Sequence, residues 1–194
     1  LTGVRRLPAA DYLRYRDGEL TVHRYWDAAS VPVKDWTDAD AVEALRAALA
    51  RAVDSQMMSD VPLGVFLSGG IDSTAIVTFM AEAAARRGVS VNTFSMGFDD
   101  GSYNELPYAR EVAKAFGTNH REGLVTPDVA SLFDQLVVHM DEPFGDVSMF
   151  PTFMVSRLAR QHVTVALAGD GGDELFGGYD AYEAQALAAR LARV

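Results

Sequence analysis

Apolar and polar positions change period several times along this chain, and each change marks an element. Between residues 12 and 27, YLRYRDGELTVHRYWD alternates about a central Asp17-Gly18, the pairing that a two-residue hairpin turn requires. From Trp36 onward the spacing lengthens. Val42, Leu45, Leu49 and Val53 recur at helical intervals behind Thr37 and Asp38, either of which can cap the helix. Residues 62–67 form a short apolar strand, and a helix from about residue 72 to 87 closes at Gly88. VSVNTFSMGF predicts the next strand, NELPYAREVAKAF a helix ending at Gly117, and HREGLV a short strand. Residues 127–140 and 150–161 read as helices, and HVTVALAG as a fourth strand. DELFGGYDAYEAQALAARLARV then begins a last helix, interrupted at Gly177-Gly178.

Strands that alternate with helices predict an α/β fold, a doubly wound parallel sheet covered on both faces. The chain divides at about residue 35: residues 1–35 read as a hairpin appendage or linker, and 36–194 as the main domain. Ligands of such sheets bind beyond the carboxyl ends of the strands. Three polar, glycine-rich stretches fall there: SGGIDST after the first strand, GFDDGS after the second and GDGGDE after the fourth.

Composition narrows the chemistry. Hydrophobic residues make up 49% of the 194, enough for a sizeable core. The absence of cysteine removes disulfides, thiolate metal sites and a cysteine nucleophile. A net charge of −10 argues against a general nucleic-acid surface. No stretch approaches the roughly 20 apolar residues that span a bilayer, and the start lacks an apolar leader, so the expected location is the cytoplasm. Lysine is scarce, with only Lys34 and Lys114 present. An anionic ligand must therefore be held by backbone amides, arginine or a metal.

SGGIDST supplies such amides. Gly69 and Gly70 let the main chain approach a ligand and adopt angles closed to other residues, while Ser68, Ser73 and Thr74 add hydroxyls. The loop opens a helix, whose N-terminal N–H groups and dipole favour an anion. It is neither GxxxxGK[ST] nor GxGxxG. Asp72 beside phosphates is repulsive unless a divalent cation intervenes, and Mg²⁺ takes one or two carboxylates together with phosphate oxygens. GDGGDE offers Asp170, Asp173 and Glu174 as a second carboxylate; Asp173 is the expected ligand, with Asp170 nearer nucleotide or substrate. Asp173 and Glu174 can also serve the dipole of the last helix.

SGGIDST behind an apolar strand, with LAGDGGDELFGGY about a hundred residues later, resembles the synthetase domain of glutamine-dependent asparagine synthetases, which are pyrophosphate-loop ATP pyrophosphatases of the adenine-nucleotide alpha hydrolase-like fold. TFSMGFDDGSYNELPYAREVAKAFGTNH and DEPFGDVSMFPTFMVSRLAR carry the likeness through the middle of the chain. RRLPAADYLRYRDGELTVHRYWD resembles the segment by which that family leaves its glutaminase domain, so the chain is expected to be an excised, C-terminally short piece. The resemblance implies a reaction in which ATP and a carboxylate, aspartate in the namesake enzymes, give an acyl-adenylate that ammonia converts to the amide. It implies that Ser68, Gly69, Gly70, Asp72, Ser73 and Thr74 hold the pyrophosphate end, and that Asp72 and Asp173 bind Mg²⁺. Phe66, Met96 and Gly97 would line adenine and ribose, and Ala168, Gly169 and Asp170 would face the nucleotide and the reacting carboxylate. Asp141, Glu142, Asp146 and Ser148 are candidate substrate contacts. The family's transition-state lysine matches neither Lys34 nor Lys114, which predicts a chain that binds ATP·Mg²⁺ but turns over slowly alone. Partners expected on this basis are the ammonia-supplying glutaminase domain and a second copy of the chain.

Overall fold

The computed structural model describes residues 2–98, 104–125, 129–140, 145–146 and 148–191. Contacts divide the chain into two units, Leu1–Glu43 and Ala44–Val194. The first contains strands β1 (Asp11–Arg16) and β2 (Glu19–Arg24), antiparallel with Asp11 opposite Arg24 and Arg16 opposite Glu19. Asp17 and Gly18 have φ of 54° and 82°, the positive pair that a two-residue turn needs to match strand twist. Arg24 Nε donates to Asp11 Oδ1 at 3.0 Å across the open end, and at the next cross-strand pair the Tyr12 and His23 rings stack. Helix α1 (Asp38–Gln56) starts at a capping box of one residue pair: Asp40 N–H donates to Thr37 Oγ1 at 3.2 Å, and that hydroxyl donates to Asp40 Oδ2 at 2.7 Å.

The second unit is built on four parallel strands in the order β5-β4-β3-β6. β3 (Leu63–Phe66) leads through α2 (Ile71–Arg87) to β4 (Asn92–Phe98), and α3 (Leu106–Phe116) leads to β5 (Asn119–Val125). The chain then passes through α4 (Val129–Met140) and α5 (Met149–Arg160) to the opposite edge, where β6 (Val165–Leu167) pairs with β3. The predicted parallel sheet is present. α2 and α3 end in glycines, Gly88 at φ 67° and Gly117 at φ 61°, each in the left-handed conformation that stops a helix.

Alternation along the strands sorts side chains onto two faces. Val65 and Leu67 point into a core with Val77, Met80 and Ala84 of α2 and Ala109 and Ala113 of α3. Phe66 joins Phe94 on the other face, with Val155, Leu158 and Ala159 of α5. Helices therefore cover both faces, the doubly wound arrangement. Gly64 has a packing reason: a Cβ there would meet Phe94 Cε2 at 2.6 Å. On the α3 side Thr93, fully buried, bonds Thr118 Oγ1 at 2.7 Å and His120 Nδ1 at 2.9 Å, which satisfies its hydroxyl.

The expected interruption of the last helix at Gly177-Gly178 divides it into two. α6 (Gly172–Phe176) ends at Gly177, whose φ of 71° turns the chain before α7 (Asp180–Leu191). β6 is also shorter than HVTVALAG suggested, because His162 and Val163 close the end of α5 by bonding back to Ala159 O at 2.9 and 2.8 Å.

Candidate functional site

β3 and β6 lie side by side, yet the chain leaves β3 toward β4 and reaches β6 only after crossing the sheet. Their carboxyl ends form the switch point where the following loops part and leave a crevice. Residues 68–73 and 168–173 are those loops.

The first loop is held by its own hydroxyls. Ser73, 8% exposed, accepts from Ser68 N–H at 3.2 Å, contacts Ser68 Oγ at 2.8 Å and donates to Gly70 O at 3.3 Å. Gly70 N–H in turn donates to Ser68 Oγ at 3.1 Å. These groups were candidates to hold phosphate; in the structure they shape the turn. The amides left without an intrahelical partner sit one step later. Gly70 is the N-cap of α2 and brings no side-chain cap, and the first intrahelical bond is Thr74 N–H to Gly70 O at 3.0 Å. The amides of Ile71, Asp72 and Ser73 precede that bond, so a 17-residue helix presents its uncapped positive end to the crevice.

Gly69 is needed for a different reason from ligand approach. Its φ is 88°, and a Cβ would stand 2.6 Å from Tyr108 Cβ and 2.7 Å from Ala109 N. The loop is thus pressed against the start of α3. Gly97 is likewise a packing glycine, its missing Cβ replaced by Leu106 of the same helix.

The loop walls two clefts. One, about 420 Å³, has Phe66, Phe94, Met96, Phe98 and Val155 at its apolar end and Ala168, Gly169, Asp170 and Glu105 around it. The other, about 690 Å³, runs between Leu45 and Leu49 of α1, Gly70 and Ile71, and Gly172, Asp173 and Phe176. Ser68, Asp72 and Ser73 line both. The two loops touch: a Cβ on Gly169 would lie 3.1 Å from Ser73 N, and one on Gly172 would lie 2.5 Å from Asp72 Cγ. Positions 72 and 173 therefore converge on one cleft, while Asp170 turns to the other. Glu174 is occupied elsewhere, accepting from Tyr179 Oη at 2.9 Å, a bond that pushes the phenol pKa up to about 12.

Not every candidate arrives at the crevice. Thr74 Oγ1 is buried with no hydrogen-bond partner and lines neither cleft. Asp146 accepts from Ser148 N–H at 2.8 Å at the entrance to α5, which holds its carboxyl below the usual range, and neither residue lines the clefts. Asp141, Glu142 and most of GFDDGS lie outside the described residues. Residues that the motifs did not flag do line the first cleft: Phe94, Phe98, Ser95, Glu105 and Thr152. The alternation Phe94, Met96, Phe98 along β4 carried a signal for three lining positions on one face; nothing in the sequence singled out Glu105.

No group of three or more His, Asp or Glu side chains suited to a metal occurs among the described residues. A pair, Asp72 and Asp173, does face one cleft beside the uncapped helix end. Two carboxylates with open space fit a hard cation that completes its shell with phosphate oxygens and water.

These features define a class: a doubly wound α/β protein with an uncapped helix start at its switch point and acidic side chains converging on it. The profile of the family described as asparagine synthase matches residues 44–194, and the chain belongs to that family. It is 38% identical over 176 residues to "Asparagine synthetase [glutamine-hydrolyzing] 1" of Bacillus subtilis, covering 90% of this chain and 27% of that protein. It is 43% identical over 163 residues to "Putative asparagine synthetase [glutamine-hydrolyzing] 2" of Methanocaldococcus jannaschii, covering 83% and 31%. The chain thus spans less than a third of the length of these two relatives. Among solved structures, it is similar to an NH3-dependent NAD synthetase from Campylobacter jejuni, with a TM-score of 0.46 and 16% identity over 71% of this chain and 60% of that one. An NMN synthetase from Francisella tularensis gives a TM-score of 0.48 and 17% identity, covering 75% and 59%.

Proposed function

We propose that this chain carries the nucleotide site of an ATP-dependent amide-forming ligase, with aspartate as the acid and asparagine as the product. The observation that supports it most is the meeting of the uncapped α2 N-terminus with Asp72 and Asp173 across the switch point. In this reading the phosphates of ATP lie against the amides of Ile71, Asp72 and Ser73, and the adenosine lies among Phe66, Phe94, Met96 and Phe98. Asp72 and Asp173 would hold Mg²⁺, which supplies the positive charge that offsets phosphates and carboxylates together. A carboxylate oxygen of the acid attacks the α-phosphorus and pyrophosphate leaves. Ammonia then attacks the acyl carbon, AMP leaves with its bonding electrons, and the nitrogen loses a proton to give the amide. Asp170, which lines the adenosine-side cleft with Gly169, would face the nucleotide and the reacting carboxylate and accept that proton. Little covalent work falls to the protein, so holding the reactants in line is its main contribution.

The two relatives are named as glutamine-hydrolysing, which supports the reading that a glutaminase domain supplies the ammonia, with the reaction in the cytoplasm. The test is ATP–pyrophosphate exchange driven by a panel of carboxylic acids. Exchange with aspartate above the other acids is the expected result. Nucleotide binding without exchange for any acid would overturn the ligase reading and leave a nucleotide-binding module.

A further inference from the structure

The stretch GDGGDELFGGY contains two glycine doublets, and the structure gives the two members of each a different duty. Gly171 and Gly177 have φ of 89° and 71° with open space where a Cβ would go, so they are glycines because the backbone turns there. Gly172 and Gly178 do not have positive φ, so the backbone at both would accept alanine. What excludes a side chain is a carboxylate. A Cβ on Gly172 would overlap Asp72 Oδ2 and stand 2.5 Å from Cγ and 3.0 Å from Oδ1. A Cβ on Gly178 would overlap Asp173 Oδ1 and stand 3.0 Å from Cγ.

We infer that Gly172 and Gly178 are positioning residues, each the seat of one of the two carboxylates that would share the divalent cation. The inference rests on the Mg²⁺-binding role proposed above for Asp72 and Asp173. In both cases the nearest atoms are ends of an aspartate side chain. A methyl group added at Gly172 is therefore relieved by rotation of Asp72 alone, and one at Gly178 by rotation of Asp173 with a shift of a few tenths of an ångström from Asp173 Cα at 3.3 Å, so the fold is left in place. This distinguishes the pair from Gly69, where backbone of α3 stands in the way. The spacing follows from geometry: Gly172 reaches across to the neighbouring loop, and Gly178, just past the end of α6, folds back onto that helix through its N–H, which donates to Asp173 O at 3.0 Å.

The test measures Mn²⁺ binding with α,β-methylene-ATP by water-proton relaxation, alongside thermal unfolding, for Gly172→Ala, Gly178→Ala, Asp72→Ala, Asp173→Ala and the doubles Gly172→Ala/Asp72→Ala and Gly178→Ala/Asp173→Ala. Moving a group that orients a metal ligand typically weakens binding about 10- to 100-fold, and that loss is expected for each glycine variant with Tm within about 3 °C of wild type. Each double is expected to bind no more weakly than its aspartate single. Glycine variants that bind Mn²⁺ as wild type does, or glycine effects that persist undiminished without the aspartate, would overturn the inference alone. Aspartate variants that bind as wild type would overturn it together with the proposed metal site. Should Gly178→Ala fail to fold, the double with Asp173→Ala must fold, since the overlapping atom is gone; a double equally unfolded refutes the seat.

Discussion

Replacing Gly69 by alanine separates the packing of the nucleotide loop from its chemistry. The residue sits at φ 88°, and the left-handed conformation costs an L-residue about 1–2 kcal/mol. The new Cβ would also lie 2.6 Å from Tyr108 Cβ, 2.7 Å from Ala109 N and 2.8 Å from Tyr108 C, so backbone would have to move. Overpacking of this kind adds about 1–3 kcal/mol. The sum, about 2–5 kcal/mol, is a large part of a domain's net stability, and corresponds to a fall in Tm of roughly 4–20 °C. Gly70→Ala is the control. Its φ is −68°, and the nearest atom to a new Cβ is Ser68 Oγ at 3.2 Å, so a change within about 1 kcal/mol is expected. Thermal and urea unfolding of the two variants, measured beside wild type, decide the matter. A Gly69→Ala protein within 1 °C of wild type, or equal losses at both positions, would refute the close approach of the loop to α3.

The same packing fixes four further outcomes. Ser73→Ala removes the acceptor of Ser68 N–H and a donor to Gly70 O, and is expected to cost about 1–3 kcal/mol in urea unfolding; Ser73→Thr should recover part of it. Phe94→Ala, at a fully buried position against Gly64 and the α5 face, is expected to cost about 3–5 kcal/mol, read from the urea midpoint at unchanged m-value. Arg110 forks onto Glu122 with Nε–Oε1 and Nη2–Oε2 distances of 2.8 and 2.6 Å, which holds that carboxyl below its usual range. A depressed carboxyl contributes stability above its unfolded pKa and loses it as pH falls through the folded value, so wild type should lose its advantage over Glu122→Gln below about pH 4.5. His120 beside it is lowered mainly by burial, against the pull of Glu122. The unfolded chain then binds the extra proton first, and a second loss of stability as pH falls below 6.5 should vanish in His120→Gln.

The sheet was legible because its signals are local and repeated: apolar runs of strand length, a glycine closing α2 and α3, and polar loops on the same side. The strand order was not legible from periodicity, since nothing in VTVAL states that it pairs with β3 and not with β5. The site divides in the same way. That the loops after β3 and β6 would border the crevice was readable from their placement after strands. The division of labour within them was not. Serine 73 looked like a ligand donor because a hydroxyl at a helix start can bond either a phosphate or its own loop, and only the fold shows the bonds to Ser68 and Gly70. Gly69 was read as a place where the main chain could approach a ligand, and the packing of α3 against Gly69 and Gly97 was not visible in the sequence. Glycine carries no label for which neighbour needs the room.

One consequence concerns charge. Among the described residues lining the two clefts there is no lysine or arginine, and there are four carboxylates, Asp72, Glu105, Asp170 and Asp173. A helix end contributes the equivalent of about half a positive charge, which is small against a triphosphate. Bringing one further negative charge to about 4 Å of a carboxylate costs on the order of 4 kcal/mol at the effective dielectric of a partly open site. Free ATP should therefore bind feebly here, in contrast to sites where a lysine touches the phosphates and metal only improves affinity. Titration of ATP into the chain by calorimetry, with millimolar Mg²⁺ and again with excess chelator, is expected to show at least a 100-fold weaker Kd without the cation, equivalent to about 2.7 kcal/mol. Raising salt in place of Mg²⁺ should restore little, because screening acts weakly on charges in a crevice. Equal affinities with and without the cation would mean that the phosphates lie away from Asp72 and Asp173, and the geometry proposed for this site would have to be abandoned.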